Sequence, residues 1–173
     1  IVWSRADAAN TLEAVQLYLE QHPDGEHFDE ATDKMKMLNA NTVTPEDKIL
    51  VGTVFDGLFQ SLNNRDENGL MNSFSPLIAK FLGKANATRS DVVTFMHKIY
   101  KSDVASMNWM SLEDYAITKK EVGDQQYEYT VVFSGLQKVE HTDNSSSETR
   151  FRFNAKVNPD GRITELNMTK ILE

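Results

Sequence analysis

From Tyr127 to Val157 the chain alternates. Tyr127, Tyr129, Val131, Phe133 and Val139 hold the odd positions, while Glu128, Thr130, Ser134 and Lys138 hold even ones. After a polar loop from His141 to Ser147, Phe151, Phe153, Ala155 and Val157 alternate with Arg150, Arg152, Asn154 and Lys156. A period of two marks strands with one buried and one wet face. Two more strands are predicted, Met107 to Thr118 and Arg162 to Ile171, the last entered through a tight Asn158-Pro159-Asp160-Gly161 turn. A strand as long as Tyr127 to Glu140 would run about 43 Å if straight, more than twice the usual length, so it must bend. Gly135 is the expected bulge or kink.

The first half has a helical period instead. Trp3 to Gln21 places apolar residues at Trp3, Ala6, Val15, Tyr18 and Leu19, His22-Pro23-Asp24-Gly25 turns the chain, and a second helix runs from about His27 to Leu38. Asn39 to Val43 reads as a linker, dividing a helical hairpin (1–40) from a second domain (44–173). Thr44-Pro45-Glu46-Asp47 is a helix start, with Thr44 as cap and Pro45 in the first turn. The helix it opens presents Ile49, Leu58, Phe59 and Leu62 to a core and ends at Asn63-Asn64-Arg65-Asp66. A short helix from Glu67 to about Phe74, an extended piece from Leu77 to Leu82 and a loop from Gly83 to Ala87 follow. Thr88 and Asp91 then frame a capping box for a helix carrying Val92, Phe95, Met96 and Ile99. Three helices followed by four long antiparallel strands predict an α+β domain, a curved antiparallel sheet packed on three helices.

Composition narrows the function classes. There are 18 basic and 26 acidic residues, a net charge of -8, which disfavours nucleic acid and anionic lipid. With no cysteine, disulfides, thiolate metal sites and cysteine nucleophiles are excluded. No apolar run approaches the roughly 20 residues of a membrane span. Because the sequence begins at Ile1 directly in a helical pattern, it reads as a processed fragment, with an extracytoplasmic or membrane-tethered location expected from a preceding segment.

Two resemblances follow from these residues. Trp3, Asn10-Thr11, Tyr18-Leu19-Glu20, Pro23-Asp24-Gly25 and Ala31 resemble the tetratricopeptide-like hairpin attached to other domains in bacterial proteins. Residues 44–173 resemble the nuclear transport factor 2-like family, the cystatin-like cone shared by ketosteroid isomerases, polyketide cyclases and scytalone dehydratase. The order carries it: a capped helix ending in Asn63-Asn64-Arg65-Asp66, a short helix, a helix at Asp91 to Tyr100, then long strands. This resemblance implies a pocket between the concave sheet face and the helices, and a dimer through the outer face. It brings no catalytic motif, so no catalytic residue is carried over.

The ligand-pocket candidates are Trp109, Glu113, Asp114, Tyr115, His97 and Tyr100. Unbroken alternation along Met107 to Thr118 sends either Glu113 or Asp114 inward, where burial raises a carboxyl pKa toward general acid or base work. The alternative is a bulge between Leu112 and Tyr115 that puts Met110, Leu112, Tyr115 and Ile117 inside and both acids in water. His97 and Tyr100 flank the third helix's apolar stripe, where they either complete a proton-abstraction set or serve as structural hydrogen-bonding groups. His22, His27, Asp24 and Glu26 belong to a turn rather than a metal site. Nucleotide and zinc spacings are missing, so no metal or cofactor is expected. On the outer sheet face Val132 and Leu136, beside Arg150, Arg152 and Lys156, are candidates for a protein contact. The expected function is a non-catalytic module that binds a small apolar ligand or a protein partner, a second copy included. The other reading is an isomerase, dehydratase or cyclase using a pocket carboxylate with histidine and tyrosine.

Overall fold

Asn10 and Thr11 break what the periodicity predicts as one helix. Asn10 takes a left-handed conformation at φ 54°, closing α1 (Trp3–Ala9), and the Thr11 side chain accepts the Ala14 N–H to open α2 (Leu12–Gln21). An asparagine tolerates that backbone region and a threonine oxygen satisfies a free amide, so the pair ends one helix and starts the next. The third helix, α3 (Phe28–Asn41), runs through most of the segment expected to be a linker. The computed structural model describes residues 2–172. Its chain separates into two compact units, Ile1–Thr44 with Lys119–Tyr127, and Pro45–Thr118 with Glu128–Glu173.

In the first unit α2 packs against both α1 and α3. Its core is small, with Ala6, Val15, Tyr18 and Ala31 buried and Trp3, Leu19, Met35 and Leu38 packed around them. Lys34 reaches from α3 to the carboxylate and carbonyl of Asp7, and the Trp3 indole N–H donates to Glu30 at 3.1 Å. Lys119 donates to the Thr42 carbonyl at 3.2 Å and lies 4.1 Å from the centre of the Tyr127 ring.

The second unit begins with α4 (Pro45–Asn63), which buries Val51, Phe55, Leu58, Phe59 and Leu62 along one face. α5 (Glu67–Asn72) is capped by Asp66, whose carboxylate accepts the Gly69 N–H at 3.0 Å. α6 (Arg89–Ile99) starts at Thr88, whose backbone N–H donates to Asp91 at 2.8 Å. Lys84 adds a 2.7 Å contact and, with the Thr88 N–H, holds the Asp91 carboxyl below its usual range.

The strands are β1 (Leu77–Phe81), β2 (Lys84–Thr88), β3 (Val104–Ser111), β4 (Ala116–Gly123), β5 (Gln126–His141), β6 (Ser146–Val157) and β7 (Ile163–Lys170). They form one open, curved sheet in the order β2-β1-β7-β6-β5-β3, with β4 also paired to β5. The sheet is mixed where an antiparallel one is expected, because β1 runs parallel to β7. The segment expected to be an extended piece and a loop is the β1–β2 hairpin, turning at Leu82-Gly83 with φ of 48° and 89°.

Gly135 does not mark a bulge. It pairs in register with Phe151 and Ser111, and the register shifts lie at Val104/Ser106 and Lys156/Val157. Its role is clearance, since a Cβ there would stand 2.6 Å from the Phe153 ring.

Candidate functional site

The inner face of β5 and β6 supplies the unit's aromatic core. Phe133 and Phe153 sit directly opposite across the strands, with ring centres 5.0 Å apart and planes 11° from parallel. From α4, Phe55 reaches within 4.6 Å of Phe133, and Phe59 within 5.5 Å of Phe153 and 6.2 Å of Trp109. Such ring pairs contribute about 0.5–1.5 kcal/mol each beyond the area they bury. The space remaining among Leu62, Phe74, Trp109, Phe153 and Met168 is ≈ 20 Å³. That is close to the minimum of about 10–15 Å³ needed by a single water, and its lining is apolar.

The expected Met107 to Thr118 strand is two strands, and the break decides where its acids go. Leu112 donates its N–H to Ser134 and ends the β3 ladder, and Glu113 then turns left-handed at φ 62°, its N–H held by the Ser111 hydroxyl at 3.0 Å. Asp114 accepts the Ser134 N–H at 2.6 Å. Alternation is therefore reset. Met107 and Trp109 face the core, as does the Tyr115 ring, 5.0 Å from Phe133, while Glu113 and Asp114 lie in water. Both sequence alternatives are corrected in part: neither acid enters the core, yet Met110 and Leu112, placed inside by the bulge alternative, are 40% and 38% exposed.

The charged and polar candidates do not converge. His97 lies exposed on α6 with Nε2 2.6 Å from Glu67 of α5. Tyr100 donates to the Leu62 carbonyl at 2.6 Å, and the Arg65 guanidinium sits 4.0 Å from its ring centre. Burial pushes the Tyr100 phenol up, against the opposing pull of Arg65. Asp114 is held below the usual carboxylate range: desolvation works upward but is outweighed by the Ser134 hydrogen bonds, with a smaller contribution from Arg152.

Tyr115 Oη is buried and completes no hydrogen bond, although the nearby Ser111 hydroxyl pulls its pKa downward. Burial and the charges of Asp56, Glu113 and Asp114 push the phenol up, which keeps it protonated at neutral pH. Among the described residues no set of three metal-ligating side chains comes together; His27 instead contacts Glu30 at 3.2 Å and stacks on Trp3.

Asn63 was legible in the sequence only as a helix breaker. Its side chain accepts the Trp109 N–H at 2.6 Å and donates to the Trp109 carbonyl at 3.0 Å, closing part of the β3 edge as a neighbouring strand would. Beside it, Asp56, Gln60, Asn64, Asn108 and Glu113 border an open groove of ≈ 520 Å³. Tyr129 and Asp47 form a second unforeseen pair, the phenol donating to the buried carboxylate in the first helical turn of α4. Neither pairing has a local sequence signature, since the partners are 46 and 82 positions apart.

The outer sheet face is built by register. Met110, Leu136 and Arg150 stand opposite one another across β3, β5 and β6, and Ile171 continues the row through its N–H to the Arg150 carbonyl. Ser134 and Arg152 pair in the adjacent row, and Val132 pairs with Asn154 in the next row. Val132, Leu136 and Ile171 are partly exposed, so with Met110 and Leu112 they make an apolar strip on a face otherwise polar. A groove of ≈ 450 Å³ runs along it between Leu136, Arg150, Lys170 and Ile171.

These features define a nuclear transport factor 2-like fold, and solved structures agree. The chain is similar to a nuclear transport factor 2-like superfamily protein from Salmonella enterica at 12% identity, covering 73% of this chain and 92% of that one with a TM-score of 0.59. A protein of this fold and unknown function from Exiguobacterium is 19% identical over 69% and 99% of the two chains, TM-score 0.50. A hexachlorocyclohexane dehydrochlorinase from Novosphingobium barchaimii is 9% identical over 73% and 88%, TM-score 0.56. The fold thus accommodates both enzymes and proteins of unknown function. No protein-family model and no curated protein matches this chain.

Proposed function

We propose that this chain is a non-catalytic interaction module on a nuclear transport factor 2-like scaffold, working through the outer face of its sheet. The observation that carries this reading is the filled interior. Phe55, Phe59, Trp109, Phe133 and Phe153 occupy the concave side, and the residual space of ≈ 20 Å³ has no titratable group in its lining. Between a small apolar ligand and a protein partner, that packing favours the protein. Ligand pockets ordinarily offer about 300 Å³ or more.

The isomerase, dehydratase or cyclase reading requires a carboxylate, a histidine and a tyrosine within hydrogen-bonding reach of one substrate. Here Glu113 and Asp114 leave the core, His97 is turned to Glu67, and the Tyr100 hydroxyl is spent on a helix carbonyl. Native mass spectrometry of the purified chain tests the proposal. The expected spectrum carries polypeptide mass alone, as monomer or oligomer. A small molecule retained in stoichiometric amount would return the function to the interior.

A further inference from the structure

We infer that the outer sheet face takes an acidic protein segment presenting aliphatic side chains, rather than a second copy of this chain. The inference rests on the interaction-module reading and names its partner. Arg150 and Arg152 project from consecutive outward positions of β6, opposite Leu136 and Ser134. The carboxylates nearby are largely engaged: Glu148 stands 3.7 Å from Lys138, Glu165 4.0 Å from Lys156, and Asp114 accepts the Ser134 N–H. Among the described residues neither Arg150 nor Arg152 has a carboxylate within ion-pair distance, although Arg152 is near enough to Asp114 to help hold its carboxyl low.

Two arginines beside Met110, Leu136 and Ile171 make a mixed surface. Arginine and methionine are favoured in contact surfaces, where a planar guanidinium pairs a carboxylate in two places and keeps its stem on apolar neighbours. Lys170 pairs with Phe151 on the inner-facing row, so the positive charge beside this strip comes from Arg150 and Arg152. The chain as a whole is acidic at -8, so two arginines without ion-pair partners on it favour a contact of opposite local charge. A two-fold contact brings the same patch against itself. With its axis near Arg150 and Arg152, such a contact would set the arginine pairs of two copies toward each other, and like charges in apposition are unfavourable.

The test uses the full chain and two fluorescent synthetic peptides, one of alternating Glu and Leu, one of alternating Lys and Leu, read by anisotropy. The Glu/Leu peptide is expected to bind at least tenfold tighter than the Lys/Leu peptide and to weaken as sodium chloride rises. Arg150→Glu with Arg152→Glu should reverse the preference, while Leu136→Ala should weaken both peptides without reversing it. Thermal melts of the variants confirm that the exposed substitutions leave the fold intact. Equal binding of the two peptides, or no binding of either, overturns the inference. So does a sedimentation shift from dimer to monomer in the double-reversal variant, which gives the face to a second copy while leaving the interaction-module reading in place. A small molecule in the native mass spectrum would instead defeat that reading itself.

Discussion

The Asn63 side chain spends both its donor and its acceptor on one residue of a strand edge, at 3.0 and 2.6 Å. Leucine at this position has the same branched arrangement of side-chain heavy atoms and neither polar group. Asn63→Leu leaves the Trp109 N–H and carbonyl unmatched at a half-covered edge, where each loss costs about 1–3 kcal/mol. The urea midpoint should fall by the equivalent of about 2 kcal/mol or more, with the m-value unchanged. Asp114 gives a pH prediction. Its carboxyl is depressed below the ordinary 3.8, so its contribution is full above that value and is lost as pH falls through the lower folded-state pKa. Asp114→Asn should lower stability at neutral pH, where the carboxylate's contribution is full, with the two proteins converging as pH falls below about 3.8, as followed by denaturation at stepped pH. The sequence announced that two adjacent acids sit where a strand would bury one of them. It did not announce the left-handed Glu113, because a glutamate carries no local preference for that conformation.

Among the secondary elements, those with long periodic patterns were legible. β5, β6, β7, α4 and α6 follow alternation or an i, i+3, i+4 stripe, and their packing agrees with it except at Ile49, expected in the core but 69% exposed near the start of α4. The β1–β2 hairpin was not legible, since its strands are five residues each and its turn is Leu82-Gly83, without the asparagine or aspartate that normally marks such a connection. The break between β3 and β4 was similarly hidden: no proline or glycine lies from Leu112 to Tyr115, and the interruption is made by side chains, Ser111 and Asp114, bonding to the backbone. α4 carries a testable peculiarity in Gly52 and Gly57, where an added Cβ would meet nothing within 4 Å. Glycine inside a helix costs about 1 kcal/mol relative to alanine. Gly52→Ala and Gly57→Ala should each raise stability by about that amount in thermal melts, with additive effects. A loss at either position would show that α4 is more closely covered than the open space there implies.

For the whole molecule, the order of helices and strands sufficed to predict the fold, because one sheet with a single buried face needs one layer of helices to cover it. Whether the covered space is a pocket was not legible. That depends on how closely Phe55 and Phe59 of α4 approach Phe133 and Phe153, a distance set by packing rather than by any residue pattern. The central claim is that this interior is full and that the outer face is the working surface. Methionine-methyl NMR separates the two directly, since Met107 and Met168 belong to the core side and Met110 to the outer side. Titration with 2-naphthol, a small apolar probe, is predicted to leave the Met107 and Met168 methyl resonances unmoved up to its solubility limit. Saturable shifts at those two methyls, with Met110 unaffected, would contradict the account.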